Sequence, residues 1–205
     1  MNGKTVLDIG AHRGIYSYWM SKAVGPQGSV FAFEPQPECV AHLKKVKTEF
    51  GLTNLEIIPE GLSEDSGTMP LWREYPESGS SSMEFSAKAK DGDYEAIAAS
   101  VTTLDNFFLS KNIHPALIKC DVEGHELAVF LGGKNLLEKY HPDILFECHD
   151  RQAQEGHVFA FLEDLGYRGY FYESREKHTS TEFDKVPYFK PTRTYRNYIF
   201  RFVAK

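Results

Sequence analysis

The sequence predicts a single α/β domain built on a mostly parallel sheet that finishes antiparallel. Three observations predict it. Short apolar runs alternate with helically spaced stretches from Thr5 to Ile58, the pattern of strand–helix–strand units. The alternation resumes from Leu104 to Gly166 after an interval rich in Gly, Ser and Asp. Two aromatic segments then close the chain with no helical pattern between them, and strands joined without a crossover helix pair antiparallel.

Taken in order, Thr5-Val6-Leu7-Asp8-Ile9 reads as a buried strand, and Gly10 and Gly14 turn it into a helix running to Val24. A Gly-Pro-Gln-Gly turn at 25–28 leads into a second strand, Ser29 to Glu34, followed by a helix within Pro35 to Phe50. Asn54 to Ile58 is the third strand. From Ser63 to Ser100 only Met69 to Trp72 carries a strand pattern, with Val101 to Thr103 just beyond. The segment from Pro76 to Asp93, with its Ser-Gly-Ser-Ser-Ser run, reads as a mobile loop that orders as a lid when an acceptor binds. A short helix at Leu104 to Leu109 and a strand at Ala116 to Cys120 follow. A helix at Glu123 to Leu131 ends at Gly132-Gly133, then come a strand at Asp143 to Glu147 and a helix at Ala153 to Leu165 closed by Gly166. Tyr167 to Tyr172 and Tyr198 to Val203 are the aromatic strands.

Composition narrows the function classes. The 205 residues are 41% hydrophobic and 14% aromatic, enough for one packed core. Lys plus Arg number 23 against 29 Asp plus Glu, a net charge of -6; this argues against nucleic acid as an obligate partner and mildly favours a neutral or cationic acceptor. No apolar run is long enough to span a bilayer, and the start carries no signal-peptide pattern, so no membrane partner and a cytoplasmic location are expected. The three cysteines, Cys39, Cys120 and Cys148, include no C-x-x-C pair and read as reduced thiols. Oligomeric state has no sequence signal.

Two features carry chemistry. Asp8-x-Gly10-Ala11-x-x-Gly14 lies where a strand becomes a helix, and glycines there let backbone approach a ligand closely. The motif is neither the Gly-x-Gly-x-x-Gly of a dinucleotide fold nor a P-loop, and an acid before the first glycine suits a ligand with a cationic part. Glu34 ends the second strand roughly twenty residues further on, where a carboxylate can accept from both hydroxyls of a ribose. Pro35 stops the strand behind it.

V-L-D-I-G-A-H-R-G-I-Y-S at 6–17, F-E-P at 33–35, T-L-D at 103–105, I-K-C-D-V-E-G-H-E-L at 118–127 and P-D-I-L-F-E at 142–147 together resemble the FkbM family of S-adenosylmethionine-dependent methyltransferases. The I-K-x-D-x-E-G-x-E segment is the more specific part. The resemblance implies a Rossmann-like class I methyltransferase fold: seven strands, mostly parallel, with an antiparallel C-terminal strand. It implies S-adenosyl-L-methionine as cofactor and transfer to a hydroxyl of a small molecule or carbohydrate. Asp8, Gly10, Ala11 and Gly14, with Ser17 of the same motif, would line the methionine end; Glu34 would hold the ribose, and Glu60 would lie near adenine.

The acceptor side is expected where Asp121, Glu123, His125 and Glu126 meet Glu147, His149 and Asp150 at neighbouring strand ends. Capping of helix amides accounts for Glu126, competes with chemistry at Asp121, and suits Asp150 as an N-cap. Asp121, Glu123 and His149 are the candidate catalytic residues, with Asp121 first as general base. No metal is expected, because the Cys and His residues lack ligand spacing. The segment Tyr188 to Arg196 mixes rings with cations and reads either as a holder for a sugar ring or anion, or as a loop with rings packed on the core. Two rival functions remain, a nicotinamide-dependent oxidoreductase and a non-catalytic cofactor-binding module. The missing Gly-x-Gly-x-x-Gly argues against the first and the intact Asp8, Gly10, Gly14 and Glu34 set against the second.

Overall fold

The structure, a computed structural model, describes residues 1–84, 94–109, 111–190, 192 and 194–204. β1 (Thr5–Ile9) leads through α1 (Ile15–Val24) to β2 (Ser29–Phe33), and α2 (Pro37–Glu49) leads to β3 (Leu55–Ile58). Then come β4 (Gly61–Leu62), β5 (Gly67–Arg73), β6 (Glu95–Thr102), α3 (Leu104–Phe108) and β7 (Pro115–Cys120). α4 (Glu126–Leu131) and α5 (Lys134–Tyr140) precede β8 (Asp143–His149). α6 (Asp150–Glu155), α7 (His157–Asp164), β9 (Tyr167–Glu173), β10 (Glu176–Thr179) and β11 (Tyr195–Phe202) complete the chain.

The main sheet has eight strands in the order β10-β9-β11-β8-β7-β1-β2-β3. β3, β2, β1, β7 and β8 pair parallel, whereas β11 runs antiparallel to both β8 and β9. Seven strands were expected; the eighth, β10, folds back on β9 through a two-residue turn. The chain winds outward from β1 to β3, then returns to lay β7 on the other side of β1. That reversal opens a crevice above the carboxyl ends of β1 and β7, where open α/β sheets bind ligands.

The strands read as near-continuous apolar runs because both faces are covered. Leu7, Ile9, Phe31 and Phe33 enter one buried cluster with Phe108, Phe130 and Phe146, while Val6, Val30, Ala32 and Leu43 form another on the opposite face. Period-two alternation therefore puts Asp8 on the face that meets α1. That helix buries Ser17, Met20, Ser21 and Val24, one stripe at helical spacing.

Three parts differ from the sequence expectation. β5 and β6 pair along their length and, with β4, make a separate three-stranded sheet. β5 is half exposed and carries Pro70, and β6 is built largely of Ala and Ser, so neither shows a strong strand composition. α5 continues past Gly132-Gly133, because Gly132 serves close packing: a Cβ there would lie 2.1 Å from the Ser63 carbonyl oxygen. The helix expected at 153–165 is two helices, broken where Gly156 takes φ 72°. Among the described residues, no helix is long and apolar enough to cross a membrane.

Candidate active site

The glycine loop fills the gap between the ends of β2 and β7. The Gly10 and Ala11 amides both donate to the Phe33 carbonyl, at 3.1 and 3.0 Å. Gly10 sits at φ 71°, and a Cβ there would lie 1.9 Å from the Asp121 carbonyl oxygen, so no other residue fits. Gly14, at φ 83°, starts α1. Beneath the loop Asp8 is fully buried, accepting from Ser17 Oγ at 2.5 Å and facing Lys119 Nζ at 3.3 Å.

Lys119 had no role in the sequence reading, and it organises the site. It is the cross-strand neighbour of Asp8 in the β1–β7 pairing. Its ammonium donates to the Gly10 carbonyl at 3.0 Å and stands 3.7 Å from Asp121 Oδ2. Burial works against its charge, but Asp8 and Asp121 outweigh burial and its pKa is raised. The available signal was a single lysine inside the apolar strand Leu117-Ile118-Lys119-Cys120, since a buried lysine requires a buried acid beside it.

Glu34 leaves β2 nearly buried, its two oxygens accepting from the His12 and Gln36 amides, each at 2.8 Å. Burial raises its pKa despite those bonds. Across the crevice runs the described part of the expected lid, 76–84; the remainder, 85–93, lies outside the described residues. Gln36 Nε2 donates to the Ser78 carbonyl and to Ser81 Oγ, and Arg13 pairs with Glu77 at 2.9 Å. Ser82 Oγ donates to the Glu123 carbonyl at 2.7 Å, and His125 bridges Glu84 and Ser63. This strap is pinned mainly by side-chain hydrogen bonds, one backbone bridge from Ser82 to Trp72 and Met83 packed at Gly61, a short list of contacts of the kind that opens at low free-energy cost. Amide hydrogen exchange across 76–84 is expected to be faster than in β1 and β7 without ligand and to slow when the crevice is filled; sheet-like protection in the free protein would rule out a lid.

The acidic loop after β7 is held by Glu126, which binds amides of the loop ahead of α4 rather than the helix end that the capping reading expected. Its Oε1 accepts from the Val122 and Gly124 amides, and Gln152 Nε2 donates to its Oε2 at 2.9 Å. Glu123 takes φ 53°, a strained value for a non-glycine residue, and its Oε2 lies 3.2 Å from His149 Nε2. That bond, ahead of the opposing effect of burial, raises the His149 pKa. Burial, with the charges of Glu123 and Asp8, raises that of Asp121 against the pull of Lys119. His149 is the N-cap of α6; Asp150, expected there, is the helix's first residue and accepts from the Tyr188 hydroxyl.

Gly10, Glu34, Asp121 and Glu123 line one cleft of about 130 Å³, partly open to solvent, together with His12, Gln36 and His125. The other expected residues do not line it. Asp8, Ala11, Gly14 and Ser17 lie under or behind the loop, and His149 reaches the cleft through Glu123. Glu60 turns to Ser100, whose hydroxyl donates to it at 3.2 Å, while Gly61 and Leu62 line the wall instead. Asp121, Glu123 and Glu147 bring one oxygen each within 4.8 Å of one another. The three thiols are free and buried; burial pushes Cys39 up to about 12 and raises the other two, so they stay protonated.

Comparison with known proteins agrees with this architecture. The family model described as the methyltransferase FkbM domain matches residues 8–168. No curated protein matches. Among solved structures, the methyltransferase FkbM from Methylobacillus flagellatus KT superposes with a TM-score of 0.63 at 14% identity, over 98% of this chain and 44% of that one. This chain thus spans less than half the length of that protein. An S-adenosylmethionine-dependent methyltransferase from Aquifex aeolicus gives a TM-score of 0.51 at 18% identity, covering 98% and 82% of the two chains. Aeropyrum pernix fibrillarin, solved with bound S-adenosyl-L-methionine, gives 0.55 at 13% identity, covering 98% and 66%. The glycine loop, the acid ending β2 and the acidic loop after β7 all fall inside the matched residues, and the chain belongs to the FkbM methyltransferase family.

Proposed function

We propose that the protein is an O-methyltransferase that uses S-adenosyl-L-methionine and methylates a hydroxyl of a small molecule or carbohydrate. The observation that carries this is one cleft faced at the same time by Gly10, which admits no side chain, by the Glu34 carboxylate, and by Asp121 and Glu123. The cofactor fits these residues: the missing Cβ of Gly10 leaves backbone facing the cleft, and Glu34 has acceptor capacity left for ribose hydroxyls beyond its two amide bonds. Gly10 backbone would approach the methionine end, with Asp8 and Ser17 fixing that loop from below. Three free thiols fit a reducing, cytoplasmic setting.

When bound, S-adenosylmethionine supplies a methyl carbon on a cationic sulfur that leaves as a neutral thioether. The chain's own task is to align an acceptor oxygen with that carbon, worth several kcal/mol as a reduction of the entropic barrier. Asp121 accepts the acceptor's hydroxyl proton as the oxygen attacks. Lys119 keeps its carboxylate oriented and returns part of the lost solvation. Glu123, fixed by His149, offers a second oxygen to the acceptor.

Calorimetric titration with S-adenosylhomocysteine and with NAD tests the reading. Binding of the first and not the second is expected; the reverse would make the protein an oxidoreductase, and binding of neither would remove the cofactor assignment. Glu34→Ala should weaken S-adenosylhomocysteine binding by about 1.5–3 kcal/mol. Because the Glu34 pKa is raised and the ionised form is the better acceptor, affinity is also expected to fall as pH drops through a value above 4.5. Unchanged affinity in Glu34→Ala would mean that the ribose lies elsewhere.

A further inference from the structure

A second cleft lies beyond the acceptor side of the active site. Tyr195 opens β11 and pairs with His149 at the end of β8. Their rings stand edge to face with centroids 5.9 Å apart. Tyr195 is also a wall of an open cleft beside the β9–β10 turn, whose other walls include Tyr172, Phe189, Arg175 and Lys190. The pair Glu123–His149 therefore stands between the cofactor cleft and this one.

Three features of the second cleft point to a ligand. Its rings are poorly covered: Phe189 is 76% and Tyr172 56% exposed, unusual for large apolar groups not committed to packing. Its charge is positive in a chain of net charge -6. The acid in its lining, Glu173, is nearly buried and occupied, accepting from the Phe189 amide at 3.0 Å and from Arg196 Nε at 3.5 Å. Arg175 and Lys190 make no ion pair among the described residues. Third, Arg175 is held at a conformational cost. It and Ser174 form the two-residue turn between β9 and β10 with φ 71° and 50°, positions that ordinarily go to Asn-Gly, so a strained backbone presents the guanidinium to the cleft.

We propose that this cleft anchors the methyl acceptor through a ring that bears a carboxylate or phosphate, remote from the hydroxyl that is methylated. The inference rests on the methyl-transfer reading and names its substrate class. Arg175 and Lys190 take the anionic group, the guanidinium by paired N–H donors. The apolar face of the ring lies against Phe189 and Tyr172, as amphipathic rings do on exposed aromatics. The anchored ring lies three strands of the sheet from Asp121, about 14 Å at the usual strand spacing, so the hydroxyl to be methylated sits on a further part of the acceptor that passes Tyr195 and His149 toward Glu123 and Asp121. Local charge governs the choice of acceptor here, against the neutral or cationic preference that net charge alone suggests.

Saturation-transfer NMR on the full chain with S-adenosylhomocysteine present tests this, with methyl β-D-glucuronide, glucose 1-phosphate and methyl β-D-glucoside as probes. The two anionic probes should bind at least about tenfold tighter than the glucoside, the worth of a charge-assisted hydrogen bond. That preference should vanish in Arg175→Ala/Lys190→Ala, while S-adenosylhomocysteine affinity stays unchanged. Binding of one anionic probe alone identifies carboxylate or phosphate as the group recognised and supports the anchor. Equal binding of all three, binding of none, or a preference that survives the double substitution overturns it. Failure of S-adenosylhomocysteine to bind the parent chain would instead remove the methyl-transfer reading, whatever the sugar probes do.

Discussion

Lys119→Met is expected to destabilise the protein by about 3–5 kcal/mol, the cost of removing one partner from a buried ion pair. Asp8 is fully buried, and the substitution leaves its charge with Ser17 Oγ as its remaining close polar partner. The Gly10 and Ile9 carbonyls lose a donor at the same time. Methionine nearly matches the lysine stem in volume, so packing changes little and the loss reports charge. The pH dependence has a definite sign. The Lys119 pKa is raised above 10.5 in the folded chain, so its contribution is complete below that value and lost only as pH rises through the higher folded value. The Lys119 contribution itself should therefore be constant from about pH 6 to 9, well below the lysine range, and any narrowing of the parent–variant difference toward pH 6 reports proton uptake by the uncompensated Asp8 carboxylate. Urea melts across that window check it, and adding Asp8→Asn should recover part of the loss. A loss below about 1 kcal/mol, the worth of an exposed pair, would mean that Asp8 finds another cation or water.

Much of this arrangement was readable because it depends on backbone chemistry that residue types encode directly. Gly10 is required where the carbonyl of Asp121, the residue after β7, comes within 1.9 Å of its missing Cβ, and only a glycine leaves that trace in a sequence. Glu34 followed by Pro35 marks the end of a strand in the same direct way. Strands covered on both faces, such as Val30 to Phe33, announce themselves by unbroken apolar runs.

What escaped the sequence depends on contacts between distant segments. The β5–β6 pairing is set by register with a partner, not by the composition of either strand. The strap over the cleft is held by Gln36, Arg13 and His125, residues whose types suit any surface. Glu60 was placed at the right strand end, but a turn into β4 carries its side chain toward Ser100 and brings Gly61 and Leu62 to the wall. Asp8 and Lys119 are adjacent only through the β1–β7 register, so neither segment alone reveals their pairing.

Once an acceptor is in hand, Asp121→Asn is expected to lower kcat by about a hundredfold or more while leaving S-adenosylhomocysteine affinity nearly intact. Asparagine keeps the size of the side chain and removes its capacity to take a proton. Of the three candidate residues, Asp121 and His149 separate as bases by pH. If Asp121 takes the proton, the acid limb of the rate profile lies above the ordinary aspartate value of 3.8, where burial and the charges of Glu123 and Asp8 set it. If His149 takes it, the limb lies above 6.5, where its bond to Glu123 sets it, and activity is still rising through neutral pH. Asp121 is the stronger candidate because its side chain lines the cleft, whereas His149 acts at one remove through Glu123. Glu123→Gln should then cost less than Asp121→Asn, shift the His149 pKa down, and also move the acid limb down, because the Glu123 charge is part of what raises the Asp121 pKa. The three converging oxygens of Asp121, Glu123 and Glu147 give a metal-dependent route its own prediction. Transfer by a protein base proceeds unchanged in a chelator, and loss of activity that magnesium restores would sink the assignment, as would near-normal turnover in Asp121→Asn.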